Sequence, residues 1–113
     1  MLPKEFRLKI NQARTKAWVN KKEFYTPVFK IVQRFANPHA SPKIGFIVSG
    51  KTGKAAERNR ARRLLCEAIR ERLEKFPAGS EFLIIAGKRA AEADYEEIST
   101  FLDQVLPKIH RGR

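Results

Sequence analysis

The longest regular pattern in the sequence is an amphipathic stretch that begins near Lys54 and continues for about twenty residues. Ala, Leu, Arg and Glu dominate it, and all four favour the α-helix. Its apolar side chains recur at the helical period, at Ala61, Leu64, Leu65, Ala68, Ile69, Leu73 and Phe76. Pro77 and Gly79 end the pattern. A helix with one apolar face must bury that face against a second layer, which the rest of the chain has to supply.

Two stretches before this helix predict strands. The alternation in residues 24 to 35 places two sets of side chains on opposite sides, Phe29, Ile31, Gln33 and Phe35 against Val28, Lys30, Val32 and Arg34. This pattern predicts one strand that is apolar on one face. Lys43 to Ser49 is apolar enough for the middle of a sheet. Between them, the prolines in Asn37 to Pro42 predict a turn that joins two antiparallel strands.

Three more segments complete the predicted fold. Asn11 to Asn20 favours a short helix, Glu81 to Ala86 a buried strand, and Asp94 to Leu106 a last helix that Pro107 ends. The order α-β-β-α-β-α predicts an α+β fold with helices packed on a small mixed sheet, since the last strand follows a helical crossover. At 113 residues and 42% apolar composition, the chain fits one domain, residues 1 to 113, with a basic tail from about residue 107.

The charge of the chain favours a polyanion as partner. Its formal net charge is +12, and the charges are segregated along the sequence. Residues 1 to 72 contain 18 basic and 5 acidic side chains, whereas residues 73 to 105 contain 3 basic and 7 acidic side chains. A surface that serves only solubility usually mixes both signs, so this segregation indicates nucleic acid binding.

The start of the long helix concentrates this charge in residues 58 to 63. At 100° per residue, Asn59, Arg63, Cys66 and Arg70 form one polar stripe about 16 Å long. One guanidinium group can donate two hydrogen bonds to the oxygens of a phosphate. Such a stripe therefore suits the backbone of a folded RNA. Lys51, Lys54 and the glycine loop add cations and amide groups at the helix N-terminus, where an anion is favoured.

Other classes of function fit less well. A protein nuclease needs a metal or acid/base cluster, yet His39 and His110 lie in a turn and a tail without the spacing of metal ligands. The single cysteine, Cys66, excludes an internal disulfide. The residues around Lys51 lack the order of a nucleotide-binding P-loop. No apolar run approaches the length needed to span a bilayer, and the N-terminus lacks a secretory signal, so we expect a cytoplasmic protein with no membrane partner.

One block of the sequence resembles a known family. Val48-Ser49-Gly50-Lys51-Thr52-Gly53, followed by Arg58-Asn59-Arg60-Ala61-Arg62-Arg63-Leu64, is similar to the signature of the protein component of bacterial ribonuclease P. Supporting similarities are Phe6-Arg7-Leu8, Gly45, Phe82 to Ala86 and Tyr95-Glu96-Glu97. The resemblance covers about residues 5 to 106. It implies the ribonuclease P protein fold, of the class also described as ribosomal S5 domain 2-like.

The resemblance also implies a function and a set of contacts. Proteins of this family assist a catalytic RNA that removes the 5′ leader of precursor tRNA, with Mg²⁺ held mainly by the RNA, no catalytic or metal-binding residue in the protein, and no obligate protein partner. The RNA-binding residues would be Lys51, Lys54, Arg58, Asn59, Arg60, Arg62, Arg63 and Arg70. The leader would contact Arg14, Trp18, Val32 and Ser49. We expect the isolated chain to be inactive.

Three positions depart from the family pattern, and other functions stay open. Arg14 stands where an aromatic is frequent, and Gly50 and Cys66 stand where basic residues are common. Contacts with the leader are therefore less firmly implied than the arginine helix. The alternative is a ribosomal or other structural RNA- or DNA-binding protein without associated cleavage, which would use the same helix. A membrane-surface protein is disfavoured, because the apolar stripe is needed for the core.

Overall fold

The computed structural model describes residues 2–8, 21–36 and 39–109. The predicted first helix at Asn11 to Asn20, part of the predicted turn and the end of the basic tail lie outside these ranges. The strands and helices of the described residues are β1 (Lys22–Tyr25), β2 (Phe29–Phe35), β3 (Lys43–Ile47), α1 (Ala55–Arg70), β4 (Ser80–Ala86) and α2 (Tyr95–Val105). Short 3-10 turns at Lys4–Phe6, Leu73–Lys75, Lys88–Ala91 and Leu106–Lys108 complete the elements.

The predicted single strand at residues 24 to 35 is wrong, because the chain turns back within it. Pro27 lies in a tight turn between β1 and β2. The hydroxyl of Thr26 accepts hydrogen bonds from the amides of Val28 and Phe29 at 3.2 and 2.9 Å and donates to the carbonyl of Phe29 at 2.8 Å. These bonds satisfy the turn's backbone groups, so β1 and β2 pair as an antiparallel hairpin.

The sheet has the order β1-β2-β4-β3. β4 pairs antiparallel with β2 and parallel with β3, so β3, α1 and β4 form the predicted parallel crossover. β2 and β3 run in opposite directions, as predicted, but β4 lies between them. This position agrees with burial: Phe82, Leu83 and Ile84 are all 0% exposed, and a continuously apolar strand is typical of the middle of a sheet that is covered on both faces.

Both helices pack on one face of this sheet. α1 contributes Ala61, Leu65, Ala68 and Ile69 to the core, and α2 contributes Ile98, Leu102 and Val105. α1 ends at Arg70 and is shorter than predicted. The following turn carries the chain to Phe76, whose ring packs edge-on against Phe82 with centroids 5.0 Å apart. Phe76, in the apolar pattern after Arg70, is therefore part of the core although the helix does not continue to it.

The opposite face of the sheet holds a smaller core of Leu8, Val32 and Leu83. The N-terminal segment reaches it along β3, where the amide of Leu8 donates to the carbonyl of Ile44 at 3.1 Å. A side chain at Gly45 would place its Cβ 3.3 Å from Leu8 and Leu83, so glycine permits this close approach. β2 is thus buried at Val32 on its second face as well, while Lys30 and Arg34 on that face stay partly exposed. Among the described residues, no helix is both long and apolar enough to cross a membrane.

Candidate nucleic-acid interface

The glycine loop before α1 shapes the start of the helix. Gly53 has φ of +150°, and a Cβ there would lie 2.5 Å from Oε1 of Glu57. Without that Cβ, the Glu57 carboxylate reaches back and accepts the amide of Lys54 at 2.8 Å. The acidic side chain nearest to the arginines in sequence is thereby engaged in capping the helix.

The outward face of α1 forms an open depression with a volume of about 300 Å³. The described residues that line it are Asn59, Arg62, Arg63, Cys66, Glu67 and Arg70. These six residues are named the basic face. The structure brings together the whole predicted stripe, adds Arg62 and Glu67 to it, and leaves the three arginines exposed. Arg62 Nη1 lies 3.4 Å from Oδ1 of Asn59, which orients its guanidinium along the helix.

Arg58 and Arg60 lie beside the basic face and are half-buried. Arg58 Nη1 donates to the carbonyl of Gly53 at 2.9 Å, and Arg60 Nη1 donates to the carbonyl of Ala91 at 3.2 Å. Each guanidinium has five N–H donors, so these bonds orient the group and leave donors for an anion. The structure therefore separates the predicted arginines into exposed and backbone-anchored groups, which sequence spacing alone does not show.

The ion pairs of the described residues lie outside the basic face. Arg34 pairs with Glu81 at 2.6 Å, Arg72 with Asp103 at 2.8 Å, and Arg89 with Glu97 at 3.3 Å. Within the ranges that the structure describes, no arginine of α1 forms an ion pair with a carboxylate. The basic face thus keeps its positive charge available for a ligand.

The loop between β3 and α1 places further polar groups near the helix start. Lys51 and Lys54 are exposed, and the amide of Lys51 donates to Oγ of Ser49 at 3.3 Å. Thr52 is only 4% exposed, and its hydroxyl has no hydrogen-bond partner among the described residues. Thr52 was not predicted from the sequence, because a threonine in a glycine loop gives no signal that its hydroxyl will be buried.

The predicted leader contacts are not brought together by the described residues. Arg14 and Trp18 lie outside those residues. Ser49 is exposed after the end of β3, but Val32 is 0% exposed and packs against Leu8 and Leu83. Val32 therefore belongs to the core in this structure, because β2 is covered on both faces, and its side chain offers no surface to a leader.

Comparison with known proteins places this interface in a family. The family model described as Ribonuclease P matches residues 2–110. The chain belongs to the ribonuclease P protein family. Membership confirms the resemblance carried by the Gly loop and the arginine helix.

Individual relatives agree with this assignment. The ribonuclease P protein component of Thermobifida fusca is 42% identical over 74 residues, which cover 66% of this chain and 50% of that protein. The component from Desulfovibrio desulfuricans is 32% identical over 117 residues, covering 98% of this chain and 85% of that one. The solved RNase P protein of Thermotoga maritima has a TM-score of 0.78 at 24% identity, covering 92% of this chain and 97% of that one. This structural likeness confirms the predicted α+β fold.

Proposed function

We propose that this chain is the protein subunit of a bacterial ribonuclease P holoenzyme that acts in the cytoplasm. It binds the catalytic RNA and the 5′ leader of precursor tRNA, and so promotes endonucleolytic removal of the leader. The RNA subunit carries out the phosphodiester hydrolysis, and the isolated chain cleaves nothing. Family membership supports the assignment, and the structural observation that carries it is that the arginines of the basic face form no ion pair with any described carboxylate.

The basic face would bind phosphates of the catalytic RNA. Arg62, Arg63 and Arg70 are exposed on one side of a rigid helix, so they meet phosphates without first breaking an ion pair of the described residues. Their spacing follows the helix, which suits recognition of backbone shape rather than base sequence. Lys51 and Lys54 extend the positive surface to the helix N-terminus.

Arg58 and Arg60 would bind RNA with guanidinium groups that are already oriented in the free protein. Because each already donates to a backbone carbonyl, its guanidinium plane is held before RNA arrives. A held donor loses less conformational freedom on binding than a free side chain does. These two residues would therefore add both affinity and stability of the helix start.

The leader would contact the loop between β3 and α1, with Ser49 as its described contact. Trp18 would stack a base in the leader-binding cleft that the family resemblance implies. Arg14 stands where an aromatic is frequent in the family, and it would meet a phosphate rather than stack. Val32 packs with Leu8 and Leu83 and would stabilise the sheet rather than touch the leader. A single stacked base contributes on the order of 1 to 3 kcal/mol, so this contact is sufficient to favour a substrate that has a leader.

Mg²⁺ would be held mainly by the RNA subunit. Among the described residues, no three His, Cys, Asp or Glu side chains lie close enough together to hold a metal ion. The contribution of this chain to a Mg²⁺-dependent reaction would be positive charge that screens RNA phosphates. We therefore expect the chain to lower the Mg²⁺ concentration that the RNA needs for activity.

Reconstitution tests the proposal directly. A bacterial ribonuclease P RNA is mixed with precursor tRNA at low Mg²⁺, with and without the chain. Cleavage at the mature 5′ end that depends on the chain is the expected result, and the chain alone should release no product. If the chain binds the RNA but leaves cleavage unchanged, the alternative of an RNA-binding protein without associated cleavage is favoured.

A further inference from the structure

A second depression lies beside the basic face, between the N-terminal segment, β3 and α1. Its volume is about 210 Å³, and most of its lining is apolar. Described residues that line it include Leu2, Leu8, Ile44, Phe46, Arg62 and Cys66. This depression is named the N-terminal groove.

The N-terminal groove is continuous with the basic face, because Arg62 and Cys66 line both depressions. A strand whose phosphates lie along the basic face therefore passes the opening of the groove. Arg7 is a second cation that lines the groove, and its Nε donates to the carbonyl of Leu2 at 2.8 Å. The groove thus combines an apolar interior with two guanidinium groups.

The size and chemistry of the groove select its occupant. Pockets for drug-sized ligands measure roughly 300 to 1,000 Å³, so this smaller space suits a single ring system. Phe46 supplies a half-buried aromatic ring, and arginine guanidinium groups bind phosphate and stack on flat rings. An unpaired nucleobase presents flat apolar faces attached to a phosphate, and unpaired bases of folded RNA are commonly bound in this way. An aliphatic side chain of a protein partner would make no use of the two guanidiniums.

We propose that the N-terminal groove takes one unpaired nucleobase of the RNA whose phosphates lie on the basic face. The base packs against Phe46, and its phosphate lies at Arg62. The inference rests on the proposed function, since it needs an RNA along α1. It adds a point of base insertion to an interface that otherwise reads backbone shape.

The test measures binding of the full chain to a bacterial ribonuclease P RNA. Dimethyl sulfate modification first identifies unpaired bases that the chain protects, and each is then replaced by an abasic nucleotide. Phe46→Leu removes the ring but keeps an apolar side chain. Phe101→Leu is the matched control, because Phe101 is a half-buried aromatic that packs on the same core from α2. Thermal unfolding of both variants checks that they are folded.

We expect one abasic replacement to weaken binding about tenfold and Phe46→Leu to weaken it about fivefold. The two changes together should weaken binding by no more than about tenfold, because they remove the same contact. Phe101→Leu should leave affinity unchanged.

Two results overturn the proposal in different ways. In the first, Arg62→Ala weakens RNA binding but no abasic replacement does, or the losses of affinity from the abasic replacement and from Phe46→Leu multiply when the two are combined. The groove then takes no base, and the proposed function stands. In the second, Arg62→Ala leaves RNA affinity unchanged and binding to the RNA is independent of salt concentration. The proposed function then fails, and the proposal of base insertion fails with it.

Discussion

Arg72 and Asp103 join the end of α1 to α2 through two hydrogen bonds. Arg72 Nε donates to Oδ1 of Asp103 at 2.8 Å, and Nη2 donates to Oδ2 at 3.3 Å. Arg72 Nη1 also donates to the carbonyl of Ala68 at 2.9 Å, which holds the guanidinium at the helix end. The hydrogen bond from Arg72 lowers the pKa of Asp103, because it favours the charged carboxylate.

This pair predicts a pH-dependent contribution to stability. We expect Asp103→Asn to lower the free energy of unfolding by about 0.5 to 1 kcal/mol at pH 7, a small value because water and salt screen exposed pairs. The folded pKa lies below the unfolded value of about 3.9. The stabilisation is therefore present above that value and is lost as pH falls through the folded pKa. Urea unfolding between pH 7 and about pH 2.5 measures the difference.

Glu92→Gln is the control for this series. Glu92 is exposed and forms no ion pair among the described residues, so the variant should match the parent chain at every pH. A difference between Asp103→Asn and the parent chain that persists unchanged at the lowest pH would contradict the assignment.

The start of α1 predicts unequal effects at two glycines. Gly53→Ala should lower the free energy of unfolding by about 1 to 2 kcal/mol, because φ is positive there and the new Cβ would displace the Glu57 carboxylate from the amide of Lys54. Gly50→Ala should change it by less than about 0.5 kcal/mol, since a Cβ at Gly50 meets nothing within 4 Å. Chemical denaturation of the two variants compares them, and equal losses would refute the role of Gly53.

A buried hydrogen bond predicts the effect of a change at Ser80. Gln33 is 0% exposed, and its Nε2 donates to Oγ of Ser80 at 3.1 Å. Ser80→Ala should lower the free energy of unfolding by about 0.5 to 1.5 kcal/mol, because the buried hydrogen bond between Ser80 and Gln33 is lost. Differential scanning calorimetry should show a lower melting temperature.

Ser99→Ala is the same substitution at a serine where no loss of stability is expected. Oγ of Ser99 is buried and has no hydrogen-bond partner in the part of the chain that the structure describes, and alanine favours the helix more than serine does. We expect its melting temperature to equal or exceed that of the parent chain. If Ser99→Ala lowered the melting temperature as much as Ser80→Ala does, the hydrogen bond of Ser80 would not be the cause of the destabilisation.

The basic face predicts how RNA affinity depends on salt. Arg63→Ala should weaken binding to a bacterial ribonuclease P RNA and reduce the slope of log affinity against log salt by about one for each phosphate that the side chain neutralises. Stability should change by less than about 0.5 kcal/mol, because the side chain is exposed. Titrations at several salt concentrations measure the slope.

Arg89→Ala removes the same charge from a residue outside the basic face. Arg89 forms an ion pair with Glu97 of α2 at 3.3 Å, so its loss should leave the slope unchanged. Equal reductions in slope for both variants would mean that net charge, and not the basic face, controls binding.

Local patterns predicted the last helix and the last strand well. α2 was expected from Asp94 to Leu106 and is observed at Tyr95–Val105, with the Asp94 carboxylate accepting the amide of Glu97 at 2.8 Å. β4 was expected from Glu81 to Ala86 and begins one residue earlier. The polar stripe of α1 also follows from sequence, because the angle between successive helical residues does not depend on the rest of the fold.

The remaining features depended on contacts between distant parts of the chain. The sequence by itself determined the helical stripe that carries the arginines, the helical crossover before the last strand, and the family signature. Only the tertiary structure placed β4 between β2 and β3, buried Val32, and turned Arg58 and Arg60 toward backbone carbonyls. Periodicity assigns a side chain to one face of its own element, whereas burial depends on which segment covers that face. Neighbours such as Leu8 and Ala91 are distant in sequence, so no local pattern identifies them.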